Sequence, residues 1–371
     1  MAHDEIERRW LVTKMNISIL KLKSLASNTI EISQGYLGVP RPDNSFRIRI
    51  KNNKAAEVSI KKGRGIKRRE TSPKDSGVSL NLGKEIAKIA HHRLLKTRYE
   101  VGVWEIDVCH EPLEGVVLIE IEKKENMTSI DGDIKLPDFV EEVVEVTDTL
   151  TSSRLARLAT ELNGLNLPAM PFVMELLRPI PRIGIVGDPG SGKTGIINIL
   201  RKEFPEIHFV PEVAKILIDD VGIPTTKDSV QNRRFQKAVY DVNKTFEKLA
   251  ISHAVTHEKK GLLFDRPNPD GVGYFDGGIE EFETFLDTSI KAELRKIDMA
   301  IYLEIPSKKI YEKYKKNSSY RTESYEEAKT RGARTRAVWW QHHNVHVISN
   351  KGGWDEKVEK VRKLIKSVIK I

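Results

Sequence analysis

The chain has 371 residues, of which 39% are hydrophobic, 31% charged and 7% aromatic, enough for about two domains at roughly 100 to 200 residues each. A single cysteine, Cys109, excludes an intramolecular disulfide; with a charged start from Asp4 and no apolar run near the roughly 18 residues of a membrane span, the expectation is a cytoplasmic protein with neither signal peptide nor transmembrane segment. The formal charge of +9 calls for an anionic partner without choosing among phosphate ligands, nucleic acid and lipid headgroups.

In chain order, the first pattern is DEIERRWLV at residues 4–12. Read as a strand, whose side chains alternate faces, it sets Glu5, Glu7 and Arg9 on one side and Ile6, Arg8 and Trp10 on the other. The strand pattern continues to residue 125 through IEISQGYLGV, SFRIRI, AEVSIKKGRGIKRRET around a glycine turn, RLLKTRYEVGVWEIDV and GVVLIEIEKKE. Residues 41–70 carry eleven Lys or Arg against three acids, a local cationic surface. Arg47 and Arg49, Lys96 and Arg98, Glu105 and Asp107, and Glu120 and Glu122 are like-charge pairs at spacing two, each on one strand face, while Ile48, Ile50, Ile106, Val108, Ile119 and Ile121 hold the alternate positions. One such pair is what any solvated sheet face shows. The set, with acids on the first and last strands and cations between, predicts a closed barrel or tunnel whose charged face points inward and whose apolar outer face is covered by helices. Crowded carboxylates need a cation, and hard oxygen ligands suit Mg²⁺ or Mn²⁺; opposing Arg and Lys would grip a polyphosphate.

A helical stretch follows near DTLTSSRLARLATELNGLN. Pro168, Pro171, Pro179 and Pro181 then resist both helix and inner strand, so residues 168–181 read as a linker between a domain at 1–167 and one at 182–371. The second domain alternates the apolar strands RIGIVG, IHFVPE, GLLFDR, MAIYLEI and NVHVIS with amphipathic helices, the pattern of an α/β domain with a parallel sheet. GDPGSGKT, at Gly187 to Thr194, fits G-x-x-x-x-G-K-[ST] between a strand and a helix. Backbone N–H groups around Gly187, Gly190, Ser191 and Gly192 would cradle the phosphates of ATP or GTP, Lys193 would reach the outer ones, and the Thr194 hydroxyl would bind Mg²⁺. Asp265 ends GLLFDR, where an acid approaches the nucleotide metal or serves as a loop or capping carboxylate. Glu212 in VPEVAK is a base, a substrate contact or a cap. Arg321, Arg331, Arg334 and Arg336 form a lid over phosphates or a solvated helix face. HHNVH at His342 to His346, Cys109 beside His110, and Trp339 with Trp340 read as structural.

The first domain resembles the CYTH domains, or triphosphate tunnel metalloenzymes: EIERR matches E-x-E-x-K, and QGYL, the R-x-R of RIR, Lys61 before a glycine turn, Arg68 with Glu70, WEID, the E-x-E of IEIE, and EVT at Glu145 to Thr147 carry the likeness onward. The resemblance implies an eight-stranded antiparallel β-tunnel of α+β type that binds triphosphates with a divalent metal. It implies Glu5, Glu7, Asp107, Glu120 and Glu122 around that metal and Arg47, Arg49, Lys61, Arg68, Lys96 and Arg98 on the phosphates; the register leaves Arg68 against Arg69 open. The signature lysine is Arg9 here, which neutralises phosphate but keeps its proton. From residue 181 the chain resembles the NadR-like P-loop family of nucleoside and nucleotide kinase relatives, of AAA-type ATPase kind, through the P-loop, Asp265 with Arg266, Gln236 in a helix, and RTE at Arg321 to Glu323. The expected activity is a metal-dependent triphosphatase acting on tripolyphosphate or a nucleoside triphosphate, joined to a P-loop NTPase or kinase. The alternatives are a nucleotide-switched binder of polyphosphate or phosphoinositide headgroups and, more weakly, an RNA 5′-triphosphatase.

Overall fold

In the computed structural model, described residues are 2–41, 44–62, 67–71, 78–123, 134–147, 149–224, 228–315 and 323–369, with side chains described for all of these except 2–6, 38–41, 44–45, 61–62, 67–71 and 314. The chain divides into two compact units, Met1–Pro179 and Ile180–Ile371.

The first unit is built from β1 (Ala2–Met15), β2 (Asn28–Arg41), β3 (Asn44–Lys51), β4 (Ala55–Lys62), β5 (Lys67–Thr71), β6 (His92–Val101), β7 (Trp104–Cys109), β8 (Val117–Glu122) and β9 (Val140–Glu145). Eight of these run in the order β5-β4-β3-β2-β6-β7-β8-β1, every pairing antiparallel, and the first half of β1 pairs back onto β5, with Glu5 opposite Arg68. That last pairing closes the sheet. The second half of β1 takes β9 as its partner, so a ninth strand extends the eight-stranded ring.

Closure explains the alternation of charge. Trp10, Val12, Tyr99, Trp104, Ile106, Val117, Ile119 and Ile121 share one apolar cluster with Leu22 of the helix Ile19–Leu25. Ile48, Ile50 and Ala56 share another with Ala87 of the helix Leu80–Lys88. The outer face is therefore apolar and covered by helices, and the alternate positions, with their charges, are turned to the lumen. The helix Ser152–Leu162 buries Leu155, Ala156, Leu158, Ala159 and Leu162 along one stripe.

Within the expected linker, Met170–Leu177 is helical and buries Phe172 and Val173. The expectation that this segment resists helix is corrected: Pro171 stands in the first turn, where a missing N–H breaks no bond.

The second unit holds β10 (Arg182–Gly187), β11 (Ile207–Val210), β12 (Gly261–Asp265), β13 (Met299–Leu303) and β14 (Val345–Ile348) in one parallel sheet of order β11-β12-β10-β13-β14. Continuous apolar runs suit strands buried on both faces, and β12 and β13 are buried throughout. Ile196, Ile197 and Leu200 of the helix Lys193–Glu203 and Val358, Val361 and Ile365 of the helix Gly353–Ile369 pack with Ile183, Ile185 and Ile301 of the sheet. Chain connections diverge on either side of β10, and the crevice beyond the carboxyl end of such a strand is where α/β sheets bind ligands. No described helix is long and apolar enough to cross a membrane.

Candidate phosphate-binding sites

In the first unit, strand register brings the inward charges into direct contact. Arg98 of β6 stands opposite Asp107 of β7. Its Nε and Nη2 each lie 2.7 Å from the two oxygens of Asp107, its Nη2 lies 2.8 Å from Glu120, and its Nη1 pairs with Glu105. Lys96 pairs with the same Asp107. Arg9 of β1 stands opposite Glu120 of β8, with Nε 2.6 Å from that carboxylate, Nη2 3.5 Å from Glu7, and Nη1 donating to the Leu150 carbonyl at 3.0 Å. Glu7, Arg9, Lys96, Asp107 and Glu120 are all buried. Burial opposes the charge on Arg9, but Glu120, Glu7 and Asp107 outweigh it and raise its pKa. Burial lowers Lys96 against the pull of Asp107. At Asp107 burial is outweighed by Lys96 and Arg98, and the carboxyl sits below its usual range.

Arg47 and Arg49 of β3 are placed differently. Arg47 Nε donates to Ser59 Oγ at 3.1 Å and Arg49 Nε to Gln34 Oε1 at 3.1 Å. Arg49 is pushed down to about 10 by burial and by its neighbours Arg47 and Arg98.

The metal expected here would need carboxylate oxygens turned to a common point. Among the described residues no three His, Cys, Asp or Glu side chains are grouped to hold an ion, and Asp107 and Glu120 already bond Arg98, Lys96 and Arg9. Glu122 is exposed at the end of β8, in register with Glu7. The side chains of Glu5, Lys61 and Arg68 lie outside the described residues; Cys109, buried beside Lys96 and Asp107, has a thiol pushed up to about 12 by burial, far from a nucleophile's range.

In the second unit the loop after β10 turns on glycines. Gly187 has φ +123°, and a Cβ there would fall 2.3 Å from the Leu303 carbonyl; Gly192 takes φ +93° at the mouth of the helix Lys193–Glu203, leaving first-turn N–H groups toward the loop. Lys193 is buried and donates to the Gly187 and Asp188 carbonyls at 2.9 and 2.8 Å and to Ser191 Oγ at 3.2 Å. Burial and then Arg266 lower its pKa. Asp265 lies beside Ile185 at the carboxyl end of β12, is buried, and leaves Oδ1 with no hydrogen-bond partner among the described residues; burial and then Glu212 raise its pKa. An orphaned carboxylate oxygen on an acid that acts on the charge of the P-loop lysine fits a P-loop metal, which Thr194 and Asp265 would hold.

Glu212 begins the helix Val213–Asp219 without capping it. Its carboxylate instead lies 3.0 Å from Arg266 Nε, while Arg266 Nη1 lies 2.7 Å from Asp270 and 3.3 Å from the Gly187 carbonyl. Arg266 holds a left-handed φ of +58°, a conformation costing about 1–3 kcal/mol for a non-glycine residue, repaid by these contacts. Beside the loop opens a cavity of about 830 Å³, within the roughly 300–1,000 Å³ of small-molecule sites. It is lined by the P-loop with Glu212, Arg266 and Asp270, and also by Phe235, Val239, Tyr240, Phe282 and Gln236. Of the lid arginines, Arg331 lines this cavity, its guanidinium 5.2 Å over Tyr274. Arg334 pairs with Asp276 and Arg336 with Asp188, and Arg321 lies outside the described residues. Trp339 is fully buried and donates to Asp270 at 2.7 Å; His342 Nε2 lies 2.7 Å from the Ile297 carbonyl, so both are structural.

Three residues escape sequence reasoning. Asp188, an unconstrained position of the P-loop motif, accepts from Tyr302 and, at 2.8 Å, from the Ile305 N–H. Lys357 donates to the Ser191 carbonyl at 2.7 Å and Asn350 at 2.8 Å, and Trp354 lies against the loop glycines; only tertiary folding brings either to the loop. Burial pushes Lys357 down to about 8. Because its unfolded pKa is about 10.4, the unfolded chain binds the extra proton between the two values, and the stability contribution of Lys357 rises with pH across that window. The expected result is a wild-type-minus-Lys357→Met stability difference, from urea midpoints, that shifts in favour of wild type between about pH 7 and about pH 10; a flat difference would refute the buried placement.

A strand, a left-handed glycine loop carrying Lys193 and Thr194, a helix, and a second strand ending in Asp265 define a P-loop nucleotide-binding domain. Residues 182–357 match the family model of an AAA domain, so an AAA-type P-loop domain occupies this part of the chain. The chain matches none of the curated proteins it was compared with. Among solved structures, the inorganic triphosphatase NE1496 is 23% identical with a TM-score of 0.28, covering 42% of this chain and 97% of that one. A second structure, titled the hypothetical protein NE1496, gives 22%, 0.29, 41% and 97%. The NadR protein in complex with NR is 14% identical with a TM-score of 0.39, covering 52% of each chain.

Proposed function

We propose that the chain carries two phosphate chemistries: a tunnel that binds the triphosphate of tripolyphosphate or a nucleoside triphosphate and cleaves its terminal phosphoanhydride, and a P-loop domain that binds ATP or GTP with a phosphoryl acceptor in the same cavity, among Phe235, Val239, Tyr240 and Phe282. The observation that carries the tunnel reading is the inward group Arg47, Arg49, Lys96 and Arg98. Arg49 is held beside two other cations, burial and then their repulsion lower its pKa, and an anion of several charges would relieve that repulsion. Arginine forks suit non-bridging phosphate oxygens, and fixed cations stabilise charge developing on a departing phosphate. Mg²⁺ or Mn²⁺ is the expected cofactor of such hydrolysis.

Arg9 favours a second reading. Its guanidinium lies between Glu7 and Glu120, supplying the positive charge these acids would otherwise take from a metal, which suits a tunnel that binds polyphosphate or a phosphoinositide headgroup without turnover. Phosphate release from tripolyphosphate in Mg²⁺ or Mn²⁺, with calorimetric binding alongside, separates the two. Under the hydrolase reading wild type releases phosphate, and Arg49→Gln weakens binding by the roughly 1.5–3 kcal/mol of a charge-assisted hydrogen bond. Binding without release leaves the regulatory reading; no binding overturns both.

A further inference from the structure

Trp354 is the second residue of the helix Gly353–Ile369, directly after β14. Its indole lies over the P-loop so closely that a Cβ added at Gly192 would fall 2.8 Å from Cζ3, and one at Gly195 2.9 Å from Cη2. Gly195 stands in the first turn of a helix, where glycine is a poor former, and the indole explains why nothing larger fits. Trp354 is 45% exposed and lines the cavity together with Pro306 and Ile310, so one face of its ring is open to a ligand there.

The two glycines bracket Lys193 and Thr194. In a P-loop the lysine reaches the outer phosphates and the hydroxyl the metal, so the inner phosphate lies toward the helix's first turn and the sugar and base leave the loop past residue 195. Such a path would run along the indole, which lies against Gly195. Lys357, one turn further along the same helix, fixes the platform through its bond to the Ser191 carbonyl at 2.7 Å. We propose that Trp354 is the nucleobase platform of the P-loop domain, stacking a purine of the bound nucleoside triphosphate. The inference rests on the nucleotide-binding reading of this domain. Stacking tolerates any base because every base has a π-face, so ATP and GTP are both accepted.

The test is displacement of a fluorescent N-methylanthraniloyl-ATP from the full chain by ATP and by methyl triphosphate, which has phosphates but no base. Only the signal absent from Lys193→Ala is counted, which removes any contribution from the tunnel. Trp354→Ala is expected to weaken ATP by about 5- to 150-fold, the range of base–aromatic stacking, and to leave methyl triphosphate unchanged, while Trp354→Phe retains most of the ATP affinity. Equal weakening of both ligands would make Trp354 a prop for the loop and overturn the proposal, as would unchanged ATP affinity in Trp354→Ala. Should Trp354→Ala fail to fold, the ATP-to-methyl-triphosphate ratio is read on Trp354→Leu, where a fall relative to Trp354→Phe supports stacking and an unaltered ratio rejects it. A wild type with no Lys193-dependent nucleotide signal would remove the nucleotide reading itself, and the platform with it.

Discussion

Replacing Lys193 by methionine is expected to abolish nucleotide-induced stabilisation of the second unit while leaving the free protein at least as stable as wild type. The two effects have opposite signs because the same ammonium plays opposite parts. In the free chain it is buried beside Arg266, and both lower its pKa, so its charged form costs the folded state free energy. At every pH below the depressed pKa that cost is present in full, and it fades as pH rises toward the ordinary lysine value, since there the unfolded chain binds the extra proton. Methionine removes it. With ATP bound, the same charge faces phosphate; its loss forfeits a charge-assisted bond of about 1.5–3 kcal/mol, and removing a donor of this kind lowers turnover by about 10²–10³-fold. Wild type at about 100 times its Kd gains about 2.7 kcal/mol from ligand, easily seen as a rise in Tm. Thermal scans with and without ATP decide the matter. A variant that still responds to ATP would place the nucleotide elsewhere, and one that is destabilised without ligand would show that the bonds from Lys193 to the Gly187 and Asp188 carbonyls outweigh the cost of burying its charge.

How far the sequence discloses these sites depends on the range of the interactions that build them. The inward charges of the tunnel are legible because a strand's period is two, so Arg47 with Arg49 and Glu120 with Glu122 must share a face. The partner of Arg98 is nearly legible as well: the two-residue turn Gly102–Val103 sets Val101 opposite Trp104, and counting back sets Arg98 opposite Asp107. That register makes Arg98 and Asp107 each other's counter-ions in the free chain. The strand Val140–Glu145 is visible only as the EVT match, because VEEVVE shows no alternation and its side chains are half-buried or exposed throughout. Pro171 hides a helix it begins. Asp188, Trp354 and Lys357 are illegible for a different reason, since each acts through partners more than a hundred residues distant and no local pattern marks such a contact.

Arg98→Met is expected to be the most destabilising substitution in the first unit, because one guanidinium serves three acids. It holds both oxygens of Asp107, one of Glu120 and one of Glu105, and Asp107 is completely buried. Removing one partner of a buried ion pair costs about 3–5 kcal/mol where the remaining charge is left without compensation; here Lys96 stays on Asp107 and Arg9 on Glu120, so each acid loses part of its compensation and the cost falls toward the lower end of that range. The dependence on pH identifies the cause. In wild type Asp107 sits below its usual range, so its stabilising contribution is complete above the unfolded pKa of about 3.9 and is lost only as pH falls through the lower folded value. Without Arg98 the carboxyls of Asp107 and Glu120 move up, the folded state takes protons before the unfolded chain does, and the penalty shrinks as pH falls through that raised range. Urea midpoints of the first unit's transition for both proteins, at about pH 7 and about pH 5, should therefore draw together at the lower pH. Asp107→Asn introduced on top of Arg98→Met should recover part of the loss at about pH 7. A penalty that ignores pH, or that the second substitution deepens, would assign the effect to lost packing of the arginine stem, and the carboxylates of the tunnel would then have to be organised by something other than Arg98.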